Sequence, residues 1–149
     1  MDMVNTVDMN IELNGIKMYL RSAVILETKK GFIFEKDKKR GIYFIVGGGI
    51  HINESSEEAA KREIFEELGI RIEEIKLKAI IERFFGNESE QFHGIEFFYY
   101  CEMNEKIILP EGFHFLNIED IKKENIKPEI IYEIISSKDK EIIHLVIDK

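Results

Sequence analysis

Between Gly47 and Gly69 the chain reads GGGIHINESSEEAAKREIFEELG, and no other stretch leaves the backbone so little choice. Ser55 followed by Glu58 forms a capping box, in which each side chain satisfies a backbone N–H that the first helical turn leaves free. Gly69 supplies the left-handed residue that closes a helix. A helix is therefore predicted over 55–68, specified at both ends. At about 100° per residue, Ala60, Ile64 and Leu68 form one stripe, assigned to the core. Glu63, Glu66 and Glu67 share a different sector.

Those carboxylates need an explanation. Like charges at i,i+3 and i,i+4 cost about 0.2–0.5 kcal/mol per pair, and no Lys or Arg four residues away on that sector is expected to relieve them. Hard divalent cations such as Mg²⁺ take oxygen ligands and are commonly held by one or two carboxylates together with substrate phosphates. For these glutamates taken alone, a solvated acidic helix face is the competing reading. Immediately upstream, Gly47, Gly48 and Gly49 close a predicted strand and let the backbone approach a ligand or a metal with no side chain between. A glycine triplet by itself is more often a turn than a binding loop.

Composition narrows the class of protein. With 149 residues, 44% of them hydrophobic, and eleven Phe and five Tyr, the chain is read as one globular domain, 1–149. A formal net charge of −8 argues against a broad nucleic-acid binding surface, which needs a basic face. The densest basic group, KDKKR at 36–40, reads as a solvated turn. No apolar run approaches bilayer-spanning length, so no membrane segment is expected. MDMVNTVDMN at the start has no basic cluster followed by an apolar stretch and does not read as a secretory signal. Cys101 is the only cysteine, which rules out an intramolecular disulfide and fits a reducing cytoplasm. Its expected role is packing.

Strand signals surround the helix. Asn14-Gly15 between MNIEL and IKMYLRSAVILET marks a tight hairpin turn. Further strands are predicted over 31–35, 42–46, 75–85, 92–101 and 113–116, with a helical turn at 118–123. Pro128 is placed near the first turn of a last helix running through Ile135, and 141–147 reads as a closing strand.

The central stretch also fits a fixed pattern. Gly48, five residues, Glu54, seven residues, then Arg62-Glu63-Ile64-Phe65-Glu66-Glu67-Leu68-Gly69-Ile70 agrees at every specified position with Gx5Ex7REUxEExGU, where U is aliphatic. This is the Nudix box, here 48–70, and the chain resembles the Nudix hydrolases, or MutT-like proteins. Softer matches are Arg21-Ser-Ala-Val-Ile-Leu before the box, FHGIEFFYY after it, and the late Pro128. The resemblance implies an α/β (α+β) fold, a mixed β-sheet sandwiched between helices with a loop-helix-loop catalytic motif. It implies hydrolysis of a diphosphate bond in a nucleoside diphosphate derivative, with Mg²⁺ (or Mn²⁺) as cofactor and a small-molecule nucleotide derivative as partner. Many relatives pair into homodimers.

Residue by residue, the resemblance makes Glu66 and Glu67 the metal-binding pair and Glu63 a further ligand or the group that activates water. Arg62 corresponds to the box arginine that orients a glutamate by a charge-assisted bond. Gly47 would present its carbonyl to the metal, and Glu54 would support the site from behind. Gly48 and Arg21 are the expected substrate contacts, Arg21 alternatively serving an inter-element salt bridge. Family members often recruit one more acid from outside the box, and Glu96 and Glu111 are the candidates.

Some positions depart from the family pattern. Val46, His51 and Asn53 stand where Pro, Glu and Gly are common. Asn53 tolerates the left-handed conformation a glycine would supply. His51 replaces an acid, which alters metal affinity unless it is simply an exposed loop residue. ADP-sugar-specific members tend to carry a proline a short distance beyond the box, and RFFGNESEQ contains none, so ADP-ribose is less favoured. Phe84, Phe85 and Tyr99 are read either as core or as a stack for a base. The alternative to an enzyme is a non-catalytic Nudix-fold module that binds a nucleotide or regulates. An intact Glu63, Glu66 and Glu67 set favours the enzyme.

Overall fold

The computed structural model of the chain describes residues 7–138 and 140–148. The opening stretch read as lacking a secretory signal falls largely, at residues 1–6, outside the described residues. In chain order the elements are β1 (Asn10–Leu13), β2 (Ile16–Thr28), β3 (Gly31–Asp37), β4 (Ile42–Gly49), α1 (Ser56–Leu68), β5 (Lys76–Gly86) and β6 (Gln91–Met103). They are followed by β7 (Phe113–Leu116), α2 (Ile118–Lys123), β8 (Ile126–Lys127), α3 (Ile131–Ser136) and β9 (Ile143–Asp148).

The strands make one mixed sheet in the order β7-β3-β4-β2-β6-β5-β9, with β1 on β2 and β8 on β4. Its spine is the parallel pairing of β2 with β6, which runs from Ile16↔Gln91 to Thr28↔Met103. A strand covered on both faces reads as a continuous apolar run rather than an alternating one, and Ala-Val-Ile-Leu at 23–26 is such a run. Ala23 and Ile25 enter the core beneath α2 and α3, with Ile121, Ile131 and Ile134. Val24 and Leu26 point the other way, into the core beneath α1 with Val46, Ala60, Ile64 and Leu68. The sheet is thus sandwiched between helices, as the resemblance implied, and the stripe Ala60, Ile64, Leu68 is buried.

The local signals hold in detail. Asn14 (φ 51°) and Gly15 (φ 77°) both adopt positive φ in the β1–β2 hairpin, the backbone that a two-residue turn demands. Ser55 Oγ accepts from Glu58 N–H at 3.0 Å and Glu58 Oε1 accepts from Ser55 N–H at 3.2 Å, so α1 starts on the predicted box. Gly69 closes it at φ 70°. A second box, Asn117 with Asp120, starts α2.

The ends of elements differ more. α3 begins at Ile131 rather than at Pro128, whose carbonyl instead accepts from Ile131 N–H in the preceding turn. β8 was not expected, since two residues carry no readable period. The last strand runs Ile143–Asp148 instead of 141–147. Among the described residues no helix is long and apolar enough to cross a membrane.

Candidate active site

β4 delivers the glycines and α1 the carboxylates, and the two elements pack against each other through Val46, Ala60 and Ile64. Antiparallel ladders alternate bonded and non-bonded pairs. Ile50 N–H donates to Leu20 O, so Gly48, two residues along, also bonds toward β2, whereas the polar groups of Gly47 and Gly49 turn away from it. Gly49 O accordingly accepts from Arg62 Nη2 at 2.9 Å. Gly47, two residues before Gly49, has the same orientation on the ladder.

Gly48 faces α1. A Cβ there would fall on the Glu63 carboxylate, so the absence of a side chain is what lets Glu63 lie flat on the strand. Arg62 organises the surrounding acids. Its Nε and Nη2 donate to the two oxygens of Glu54 at 2.8 and 3.0 Å, and its Nη1 to Glu63 Oε1 at 2.9 Å and Glu66 Oε2 at 3.2 Å. The last contact corrects the expectation that no cation four residues away relieves the acidic sector. Arg62 lies beside that sector, and its long side chain reaches across one turn to Glu66.

Burial alone would push the Glu54 carboxyl up, yet the Arg62 fork and the His51 N–H, donating at 3.0 Å, hold it below its usual range. Hydrogen bonds to Glu54 and Glu63 in turn keep Arg62 more firmly protonated than a free guanidinium. Glu54 and Arg62 therefore form a fixed, charged brace under the loop between β4 and α1.

Glu67 is treated differently. Its Oε2 is buried and has no hydrogen-bond partner among the described residues. Burial, then the neighbouring charges of Glu63 and Glu35, push its carboxyl up to about 7, against a smaller opposing pull from Arg21. A buried polar atom without a partner is costly, and a cation is the group that would relieve three clustered acids at once. Among the described residues no ready-made cage of three His, Cys, Asp or Glu side chains exists, because Glu63 and Glu66 are turned onto Arg62. The donor set suits a hard ion that keeps several waters and borrows ligands from a phosphate.

The remaining predicted residues scatter. Arg21 stands opposite Gly49 across the β2–β4 ladder and lines a cavity of about 340 Å³ with Asp8, Asn10, Tyr19 and Gly49. It pairs in register with Glu96 on the sheet face turned away from α1. Glu96 is itself taken up by Tyr19 Oη at 2.6 Å and Arg83 Nε at 3.1 Å, so the fold does not bring it to the acids of α1. Glu111 is exposed in the turn before β7.

His51 is not the exposed loop residue expected. It bridges to Asp8, its Nε2 lies 3.3 Å from Asp8 Oδ1, and its ring is largely covered. Asn53 does take positive φ, 67°. Tyr99 is core and shares a hydrogen bond with Ser56 Oγ, while Phe85 is 40% exposed. Cys101 is buried. Sequence reasoning missed Asp8, Tyr19 and Arg83, which are placed by pairings between segments distant in sequence: an antiparallel bridge to His51, the parallel β2–β6 ladder and the antiparallel β5–β6 ladder.

The sequence matches the NUDIX domain over residues 19–135. Among solved structures it is similar to a mutator MutT protein from Bacillus halodurans, at 20% identity and TM-score 0.69, covering 85% of this chain and 89% of that one. A MutT NUDIX hydrolase from Burkholderia pseudomallei is 20% identical with TM-score 0.64, over 80% and 98% of the two chains. The NUDIX domain of Shewanella oneidensis NrtR, solved with ADP ribose, is 14% identical with TM-score 0.62, over 78% and 84%. No curated protein shows significant similarity to the chain.

Proposed function

Since the chain belongs to the NUDIX family, as a MutT-like member, we propose that it hydrolyses a diphosphate bond in a nucleoside diphosphate derivative, using Mg²⁺ or Mn²⁺. One observation carries the reading: one carboxylate oxygen of Glu67, Oε2, is buried with no hydrogen-bond partner among the described residues, on the helix that packs Glu63 against Gly48. A helix face meant only for solvent has no reason to bury that oxygen.

In this reading Glu66, Glu67 and Glu63 would hold the cation, together with the Gly47 carbonyl. A bound divalent cation offsets the charge of the diphosphate and of the departing phosphate oxygen. Arg62 fixes the orientation of Glu63 and Glu66, and Glu54 fixes Arg62. Gly48 and Arg21 contact the substrate, the first by leaving space and the second by charge. Water adds to one phosphorus while the bridging oxygen leaves with the other phosphate. The proton of that water passes to a carboxylate, the role the resemblance leaves open to Glu63. We read residues 1–149 as one domain working in a reducing cytoplasm, consistent with its single cysteine.

The test is product formation from nucleoside triphosphates, nucleotide sugars and dinucleoside polyphosphates with Mg²⁺ or Mn²⁺, using Glu66→Gln as control. Cleavage at a diphosphate bond by wild type and not by the variant is expected. Ligand-induced stabilisation with turnover of none would replace the enzyme with a nucleotide-binding module.

A further inference from the structure

The sheet ends on one side at β9, and among the described residues no strand pairs with the outer edge of β9. An open edge presents a row of unpaired N–H and C=O groups, and folds usually blunt it with a short strand, a proline, a bulge or lysines. β1 and β7, at the other margins of the sheet, are only four residues long. β9 has six residues, contains neither proline nor lysine, and pairs with β5 without a break from Ala79↔Ile143 to Phe84↔Asp148. It is the one long, regular edge among the described residues.

Its side chains alternate strictly. Ile143, Leu145 and Ile147 are half-buried against the core beneath α2 and α3. His144, Val146 and Asp148 are exposed on the opposite face, where Val146, between the two polar residues, is 59% exposed. A large apolar side chain flanked by a histidine and an aspartate is an unusual finish for a surface strand, and the order of the three fits their own reversal.

Two antiparallel strands related by a two-fold axis pair residues whose numbers have a constant sum. Only an even sum keeps like faces together, because a slip of one residue turns every side chain over. With Val146 on the axis, His144 of each copy stands directly opposite Asp148 of the other, and Leu145 opposite Ile147. Centred on Leu145, the same strand sets His144 against Val146; centred on Ile147, it sets Asp148 against Val146. No other register opposes His144 to Asp148, so charge complementarity selects the first. Directly opposite side chains have Cβ atoms about 4.5–5.5 Å apart, within reach of a hydrogen bond between these two. His144 is prepared for it: its Nε2 lies 2.6 Å from Glu82 Oε2, which leaves Nδ1 for a second carboxylate.

We propose that β9 is a self-pairing edge, through which two copies of the chain join antiparallel about Val146 into one continuous sheet. An extended segment of another protein also fits an open edge, but only a second copy necessarily brings an Asp148 for His144 and a His144 for Asp148. β5, β6 and β2 separate β9 from the glycines of β4, roughly 19 Å at 4.8 Å per strand. The seam therefore leaves the acids of α1 untouched, and the inference stands apart from the diphosphatase reading.

Sedimentation equilibrium of the full chain tests it. A seam of five residues a side is small for a specific interface, so a dissociation constant on the order of 10 µM is expected. Val146→Glu sets two carboxylates face to face on the axis and should weaken the dimer tenfold or more, at unchanged Tm because the side chain is exposed in the single copy. Mild oxidation reads the register. Val146→Cys should give a disulfide-linked dimer, whereas Ile142→Cys, 53% exposed but at the outer end of the seam, should not. Cys101 is buried and stays out of the reaction. A wild type that is still monomeric at about 1 mM, a dimer indifferent to Val146→Glu, or cross-linking of Val146→Cys no faster than that of Ile142→Cys would each overturn the self-paired edge.

Discussion

Glu67 and Glu96 are both withdrawn from water on opposite faces of one sheet, and the fold has equipped them in opposite ways. Glu96, 7% exposed, receives a tyrosine hydroxyl and an arginine N–H. Glu67 receives no donor at its buried oxygen among the described residues, and the acids around it outweigh the pull of Arg21. A satisfied carboxylate helps hold the structure; an unsatisfied one costs stability and is retained only where something outside the chain completes it. The contrast separates architecture from site without reference to any motif.

The sharpest way to break the contrast is Glu67→Gln. If the carboxylate serves a cation, Mg²⁺-dependent turnover should fall at least about a hundredfold, the scale on which loss of a transition-state charge contact acts, with the melting curve intact. Wild-type turnover in that variant would remove Glu67 from the site. The converse experiment is Glu96→Ala, which strands Arg83 and Tyr19. Breaking a buried pair costs about 3–5 kcal/mol, and the partial exposure of Arg83 points to the lower end, read as a shift in the urea midpoint at unchanged slope. A loss under about 1 kcal/mol would mean that the two carboxylates are not different in kind.

A smaller effect appears in the pH dependence of the metal-free protein. The Glu67 carboxyl titrates near 7 in the folded chain against 4.5 for the free group, so the folded state holds the extra proton between those values. Stability contributed by that proton is complete below pH 4.5 and is lost as pH rises through about 7. Discounted for partial exposure, the loss is on the order of 1 kcal/mol, or roughly 2–4 °C in Tm. Glu67→Gln should flatten this slope. Mg²⁺ should stabilise more at pH 8 than at pH 6, because it competes with the proton; equal stabilisation at both would count against binding at Glu67.

What was legible in the sequence follows the range of the interactions involved. The caps of α1 at Ser55 and Gly69, the Asn14-Gly15 turn and the apolar stripe of Ala60, Ile64 and Leu68 are set by residues within one or two turns of each other, and all appear as predicted. The reach of Arg62 to Glu66 was local too. It depends on the length of the arginine side chain, which carries Nη1 from the edge of the acidic sector to Glu66. The Tyr19, Glu96 and Arg83 group was out of reach for a different reason: Tyr19 and Glu96 are 77 residues apart and meet through a parallel pairing of β2 with β6. His51 likewise finds Asp8 only once the N-terminal segment lies along the loop.

The finest test of the comparison lies in two adjacent glycines. Gly47 and Gly48 follow each other on β4 and so present opposite faces. An added Cβ at Gly47 would strike the Ser22 carbonyl and the Ala23 Cα, backbone atoms fixed in the β2–β4 ladder, so Gly47→Ala should cost about 2 kcal/mol or more. At Gly48 the obstacle is only the end of the Glu63 side chain, which can swing aside. Neither glycine has positive φ, so alanine brings no backbone strain at either and lowers the entropy of the unfolded chain by about 0.4–1 kcal/mol. Gly48→Ala should therefore change stability by less than about 1 kcal/mol while displacing the Glu63 carboxylate and depressing kcat. A Gly48→Ala variant with full activity and an unchanged metal requirement would show that the position of Glu63 over the strand is incidental, and that the acids of α1 differ from Glu96 in their partners but not in their purpose.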